Sequence, residues 1–114
     1  MTETKETENK IAQLQVLEQN IQNVLAQKQS FQSNLIELDN ALNEVTVAKS
    51  KLYKIVGNIM VVSDKESITN ELSSKKEIIN LRIKSVEKQE NQLKEKAASL
   101  QGEVLSGLNS KGAK

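Results

Sequence analysis

The chain has 114 residues, of which 37% are hydrophobic, 27% charged and 2% aromatic, and its formal net charge is +1. It contains no cysteine or histidine, which excludes thiolate nucleophiles, imidazole acid–base catalysis and metal sites built on these ligands. Proline is absent and large aromatic side chains are scarce, so the composition favours long helices over a compact enzyme core.

A seven-residue repeat runs through the first half of the chain. Its ten positions are spaced alternately by three and four residues, which predicts the seam of a coiled coil and a first helix over about residues 8–51. The polar member is Lys28, whose stem can pack while its ammonium reaches solvent, or which can act as a register-setting polar layer. The seam comprises Leu14, Leu17, Ile21, Val24, Lys28, Phe31, Leu35, Leu38, Leu42 and Val45.

The next segment is rich in β-branched residues and is interrupted by Gly57-Asn58. Two such runs around a Gly-Asn loop predict a hairpin over residues 53–62, with a type I′ or II′ turn and positive φ at Gly57. The pairing places Tyr53, Ile55, Met60 and Val62 on one face and Lys54, Val56, Ile59 and Val61 on the other.

Both faces of this hairpin are mostly apolar, and an isolated two-stranded hairpin is marginally stable in water. We therefore predict that hairpins of several subunits combine into a larger sheet or barrel; the alternative is that the hairpin folds back on its own helices, which could cover one face only. The predicted oligomerisation residues are Tyr53, Ile55, Val56, Gly57, Ile59, Met60, Val61 and Val62.

A second heptad repeat follows. The run Ser63-Asp64-Lys65-Glu66 fits a capping box with Ser63 as the N-cap, so we expect a second helix over residues 64–107 and a frayed tail over 108–114. The fold class is therefore mainly α: a long antiparallel coiled-coil helical hairpin whose two helices are joined by a single β-hairpin. The second seam comprises Leu72, Lys76, Ile79, Ile83, Val86, Glu90, Leu93, Ala97, Leu100 and Val104.

Apolar side chains off the seam occur near both ends of the chain, where glycines weaken the second helix. Such an end could hold non-native polypeptides, although scattered apolar residues are also normal on protein surfaces. The off-seam residues are Ile11, Val16, Leu105 and Leu108. Together with the neighbouring seam residues Leu14, Leu17, Leu100 and Val104 they form the candidate contact set.

Short motifs add a family resemblance over roughly residues 11–108. They are Gln27-Lys28-Gln29, Tyr53-Lys54-x-Val56-Gly57-x-x-Met60-Val61, Asp64-Lys65-Glu66 followed by Leu72, and Arg82, Val86, Gln89-Glu90 and Leu93. In this order along two helices and a hairpin they resemble the β-class subunit of prefoldin, in its archaeal form. The segment Thr46–Leu52 departs from the family because it lacks the proline or acidic linker often found there.

The resemblance implies an ATP-independent chaperone and not an enzyme, without cofactor or metal. It implies a hexamer of two α-class and four β-class subunits, in which the hairpins form a double β-barrel and the coiled-coil tips capture unfolded proteins. It also implies delivery of these clients to a group II chaperonin in the cytoplasm. The sequence agrees on one point, because it has no GxxxxGK[ST] phosphate loop.

Two other functions compete with this interpretation. A structural coiled-coil spacer without client binding would explain the heptads but not a hairpin that is apolar on both faces. A nucleic-acid or membrane-surface binder is disfavoured, because the lysines of the second helix alternate with glutamates and aromatic side chains are scarce. No apolar run is long enough to span a bilayer, and the polar N-terminal residues do not resemble a secretory signal.

Overall fold

The computed structural model describes residues 2–112, with side chains for residues 5–108. Helix α1 (Thr2–Val47), strand β1 (Leu52–Val56), strand β2 (Ile59–Ser63) and helix α2 (Lys65–Gly112) follow one another along the chain. The predicted class, two long helices joined by one antiparallel hairpin, is confirmed. Neither helix, within the described residues, has a stretch that is both long and apolar enough to cross a membrane.

The chain divides into two compact units, and in each of them the helices run antiparallel. Unit 1 combines α1 up to Lys28 with α2 from Ser85 onward, and unit 2 consists of residues 29–84. In unit 1, Lys10 Nζ lies 3.7 Å from Glu103 Oε2, so the early part of α1 lies beside the late part of α2. In unit 2, Lys76 Nζ lies 2.7 Å from Asp39 Oδ1.

The core of each unit follows the heptad rows. Val24, Val86 and Val104 are buried in unit 1, and Val45 and Ile79 are buried in unit 2. All the remaining positions of the two predicted seams are at least partly buried. Two helices can cover only one stripe of each other, which explains why none of the described side chains is completely enclosed.

Helix α1 ends at Val47, four residues before the predicted end, because its last turn is closed by contacts that the heptad pattern does not encode. The Thr46 hydroxyl donates a hydrogen bond to the Leu42 carbonyl at 2.8 Å, and the Ala48 amide donates to the Val45 carbonyl at 3.3 Å. Lys65 Nζ donates to the Thr46 carbonyl at 2.7 Å. A cation at this place suits the partial negative charge of a helix C-terminus.

The N-cap of α2 is Asp64, which corrects the prediction of Ser63. Ser63 is the last residue of β2, where it pairs with Leu52, and its neighbour takes the capping position. The Ser67 amide donates to Asp64 Oδ1 at 3.0 Å, and the Ile68 amide donates to the Asp64 carbonyl at 3.2 Å. Hydrogen bonds from the Ser67 side chain and backbone hold the pKa of Asp64 below its ordinary value.

Helix α2 continues to Gly112, whereas the sequence predicts an end at residue 107 and a tail over 108–114; residues 113 and 114 lie outside the described part of the chain. A glycine costs a helix about 1 kcal/mol relative to alanine, which weakens α2 without ending it. At Gly107 a Cβ atom would lie 3.3 Å from Thr7 Oγ1, so a larger residue there would require a small shift of that side chain. The described helix therefore extends beyond the predicted end at residue 107.

The hairpin has the predicted register. Tyr53 pairs with Val62, Ile55 with Met60 and Val56 with Ile59, which produces the two faces derived from the sequence. Gly57 has φ +61°, and no non-glycine residue described in the structure has positive φ. A positive φ at the first loop residue alone fits a type II′ turn, since type I′ requires it at both.

Candidate functional site

The hairpin surface, defined as the eight predicted oligomerisation residues Tyr53, Ile55, Val56, Gly57, Ile59, Met60, Val61 and Val62, is exposed throughout. The exposed fraction of its apolar side chains ranges from 40% at Val61 to 70% at Ile55. Neither face is buried against the described part of the chain, so the alternative in which the hairpin folds back on its own helices does not hold here. Apolar area of this kind on both faces is unusual for a surface that stays in water.

The edges of the hairpin are also available. The described sheet contains β1 and β2 alone, and each strand therefore leaves one edge without a strand partner. Unpaired strand edges carry free amide and carbonyl groups and act as templates for further strands. The surface can thus add strands at its edges while it buries apolar side chains on its faces.

One ion pair makes the two hairpin faces different. Lys54 Nζ lies 2.7 Å from Glu71 Oε2, and Lys75 Nζ lies 3.5 Å from Glu71 Oε1. The hydrogen bond from Lys54 holds the pKa of Glu71 below its ordinary value. The contact ties β1 to α2 on the Lys54 face, whereas the face with Tyr53 and Met60 carries no charged residue.

A second candidate site lies in unit 1. The terminal surface consists of seven predicted contact residues, of which four are exposed: Ile11 at 38%, Val16 at 60%, Leu105 at 53% and Leu108 at 50%. The other three, Leu14, Leu17 and Leu100, are partly buried in the seam. Val104, the eighth predicted residue, is only 8% exposed. It occupies a heptad position between the helices, so we remove it from the contact set.

Part of the terminal surface forms a groove, the terminal groove, with a volume of about 620 Å³. Val16, Leu17 and Leu100 contribute its apolar lining, and the small side chains of Ala12 and Ser99 leave room between them. Sequence analysis missed these two small residues, because small side chains beside a seam carry no chemical signal of their own. The remaining lining residues are Gln13, Lys96 and Glu103. Ile11, Leu105 and Leu108 lie outside this lining.

The polar layer of the seam is an ion cluster around Glu90, the one buried charged residue among those described. Lys28 Nζ lies 3.2 Å from Glu90 Oε1, and Lys94 Nζ lies 2.9 Å from Glu90 Oε2. Lys28 therefore bridges α1 to α2 instead of directing its ammonium to solvent alone. Hydrogen bonds from Lys94 and from Lys28 hold the pKa of Glu90 below its ordinary value of 4.5.

This cluster predicts a defined acid sensitivity. A carboxylate whose folded pKa is lowered stabilises the fold above its unfolded pKa, and this contribution is lost as the pH falls through the folded pKa. We expect Glu90→Gln to lower the melting temperature at neutral pH, and the deficit relative to the wild type to shrink steadily below about pH 4.5. Thermal unfolding followed by circular dichroism across this range measures the effect.

The matched control is Glu95→Gln, at an exposed position of α2 that has no ion pair within the described residues. It should leave both the melting temperature and its pH dependence nearly unchanged. A constant difference between Glu90→Gln and the wild type at all pH values would contradict the assigned role of the Glu90 carboxylate.

These features together define a class of protein: a helix–hairpin–helix subunit that presents an apolar hairpin for assembly. The family profile described as "Prefoldin subunit" matches residues 8–110. A "Prefoldin subunit beta" of Archaeoglobus fulgidus is 38% identical over 91% of both chains. Another, of Saccharolobus islandicus strain L.S.2.15, is 35% identical over 91% of this chain and 84% of the relative.

A solved structure agrees with these sequence matches. The crystal structure of the prefoldin beta subunit from Thermococcus strain KS-1 superimposes with a TM-score of 0.87 at 32% identity, covering 90% of this chain and 92% of that one. The chain belongs to the prefoldin subunit family, and the resemblance to archaeal β-class subunits is confirmed. Members of this family are chaperone subunits, not enzymes, and assemble with other prefoldin subunits.

Proposed function

We propose that the chain is a β-class subunit of a hexameric, ATP-independent holdase. The hexamer contains two α-class and four β-class subunits, captures unfolded polypeptides at the terminal surface and delivers them to a group II chaperonin in the cytoplasm. Neither a cofactor nor a metal takes part, and nucleic acids and membranes are not partners. The observation that carries the proposal is the hairpin surface, whose apolar side chains are 40–70% exposed.

Assembly through the hairpin follows from the energy of apolar burial. Burying a Val, Ile or Met side chain fully gains about 1.5–3 kcal/mol relative to leaving it in water. Six side chains of these types lie on the hairpin surface, and Tyr53 adds a ring that can bury its apolar body while its hydroxyl finds a partner. A spacer without partners at this position would leave all of this area in water.

Client capture follows from the terminal surface together with assembly. A single terminal groove offers a few apolar side chains, and binding also has to offset the lost freedom of the partner, so one subunit binds an unfolded segment weakly. Several such grooves on one platform raise the effective concentration for the second and third contacts. The hexamer can therefore hold a client that a free subunit releases.

Delivery to a chaperonin is supported by family membership, and the sequence contains no GxxxxGK[ST] phosphate loop. A chaperone that hydrolyses no nucleotide has no energy source of its own for client release, which makes a downstream acceptor a reasonable partner. The Archaeoglobus fulgidus and Saccharolobus islandicus relatives are archaeal, which favours a group II chaperonin as that acceptor.

The experiment that tests this function is co-expression with an α-class prefoldin subunit, followed by mass measurement of the purified complex. We expect a single species whose mass corresponds to two α-class chains and four copies of this chain. The proposal fails if this chain elutes separately from the α-class subunit under conditions in which both are folded.

A further inference from the structure

A second groove, the flank groove, belongs to unit 2, and its assignment below rests on the proposed client-binding function. Its volume is about 520 Å³. Leu38, Ala41, Ile78 and Ile79 form its apolar part. Asn34, Glu37, Lys75 and Arg82 form its polar part. Neither the helix seam nor the hairpin surface accounts for it.

The apolar part of the flank groove is accessible. Ile79 is buried in the seam, whereas the adjacent Ile78 is 48% exposed and points an aliphatic side chain into the groove lining. Ala41 is small, so the groove stays open on the α1 side. An apolar side chain of a partner could contact Ile78 and Leu38 together without any rearrangement of the helices.

Arg82 gives the flank groove its chemical preference. It is the single arginine of the chain, and it is exposed. Within the part of the chain that the structure describes, it forms no ion pair or hydrogen bond with a carboxylate or carbonyl group. Lys75, by contrast, is paired with Glu71 at 3.5 Å. A guanidinium next to an apolar groove binds a carboxylate through two parallel hydrogen bonds, which suits Arg better than Lys.

We propose that the flank groove is an additional client-binding site, selective for unfolded segments that carry an apolar side chain beside an Asp or Glu. The apolar side chain contacts Ile78, and the carboxylate pairs with Arg82. Glu37 on the α1 side repels a carboxylate, so the carboxylate of the bound segment lies on the α2 side of the groove, where Lys75 and Arg82 contribute two positive charges against the one negative charge of Glu37.

The position of the groove argues against a neighbouring hairpin as its occupant. Ile78 and Arg82 lie 13 and 17 residues after Lys65, the first residue of α2. At 1.5 Å per residue this is about 20–25 Å of helix. A five-residue strand such as β1 or β2 is about 17 Å long. A hairpin that joins the hairpin surface is therefore too short to fill the flank groove as well.

The first test uses the assembled complex with full-length chains and two short fluorescein-labelled peptides. The peptides share a leucine-containing sequence and differ only in Asp or Lys beside the leucines. We expect the Asp peptide to bind more tightly to the wild type, and Arg82→Glu to weaken its binding about tenfold while strengthening binding of the Lys peptide. Fluorescence anisotropy gives both dissociation constants.

The matched control is Lys84→Glu, which reverses a charge on an exposed residue of the same helix outside the groove lining. It should leave the ratio of the two dissociation constants unchanged. Equal affinities of the two peptides for the wild type, or an unchanged ratio in Arg82→Glu, would overturn the proposal. A complex that binds neither peptide would also overturn this inference, whereas the proposed client-binding function is decided separately by whether the same complex keeps a denatured client in solution.

A second measurement identifies the occupant. A photo-crosslinking amino acid at position 78 is expected to label a denatured client added to the complex, whereas the same label at position 77, outside the groove lining, should not. Crosslinks from position 78 to a neighbouring subunit, or none, would overturn the assignment to clients. If the complex still assembles and still prevents aggregation in that case, the proposed function stands and only the flank-groove assignment is lost.

Discussion

Replacing Ile59 and Val61 together by aspartate is expected to dissociate the complex into separate subunits. Both side chains lie on the same hairpin face and are exposed in the unassembled chain, at 65% and 40%, so the variant should fold normally. In an assembled barrel the carboxylate at position 59 would be buried without a partner, and the carboxylate at position 61 would compete with Glu71 for the opposite Lys54, which is strongly unfavourable. We expect the apparent dissociation constant to rise at least about a hundredfold, or roughly 3 kcal/mol. Light scattering coupled to size-exclusion chromatography measures the mass.

The matched control for this variant is Ile36→Asp/Leu81→Asp. Ile36 is 61% exposed and Leu81 65% exposed, against 65% for Ile59 and 40% for Val61, and both control residues belong to unit 2 but lie on the helices and outside the hairpin surface. The same charge is therefore added at exposed apolar positions outside the hairpin surface. The control should keep the mass of the complex. If Ile59→Asp/Val61→Asp also kept it, the hairpin surface would not be the assembly interface.

The second large effect is expected at the terminal surface. Val16→Asp/Leu105→Asp should leave the mass of the complex unchanged and should weaken its ability to keep a denatured client in solution. Each side chain is about half exposed, so its contact with a client is worth roughly 1 kcal/mol, and several grooves act together. We expect about tenfold more complex to be needed for the same suppression of aggregation.

The same control, Ile36→Asp/Leu81→Asp, separates loss of a site from added charge in general. It should suppress aggregation as well as the wild type does. A more severe version deletes residues 1–16 together with 101–114, which removes four of the eight residues that line the terminal groove and should abolish suppression while assembly persists. Normal suppression by the deleted protein would exclude the terminal surface as the client site.

Local sequence rules predicted the features that depend on spacing or on a single residue. The heptad rows identified the seam positions, including Val24, Val86, Lys28 and Glu90, because each helix presents one stripe to the other. The ion pair between Lys28 and Glu90 was not predicted. Gly57 was identified as the turn residue because a positive φ costs glycine nothing. The hairpin register then followed from the position of the turn.

Features that depend on contacts between elements were not predictable in this way. The end of α1 is held by Lys65, a residue of the other helix, and heptad spacing carries no information about that contact. The N-cap moved from Ser63 to Asp64 because β2 continues through Ser63, so pairing with Leu52 decided between two suitable capping residues.

The candidate site was predictable in composition and less so in shape. Apolar residues near the chain ends stood out in the sequence, but the assignment of Val104 to the surface was wrong because its heptad position places it between the helices. The terminal groove depends on Ala12 and Ser99, and the flank groove on Ala41 and an unpaired Arg82. These features need the relative placement of two helices, which only the structure supplies.

We expect the assembled complex to hold unfolded polypeptides without nucleotide. Light scattering of a chemically denatured client, diluted into buffer with the co-expressed complex and without ATP, measures this activity. We predict that scattering is suppressed at near-equal molar amounts of complex and client, and that the unassembled chain at the same subunit concentration does not suppress it. Scattering that rises as fast with the intact complex as without it would contradict the proposed holdase function.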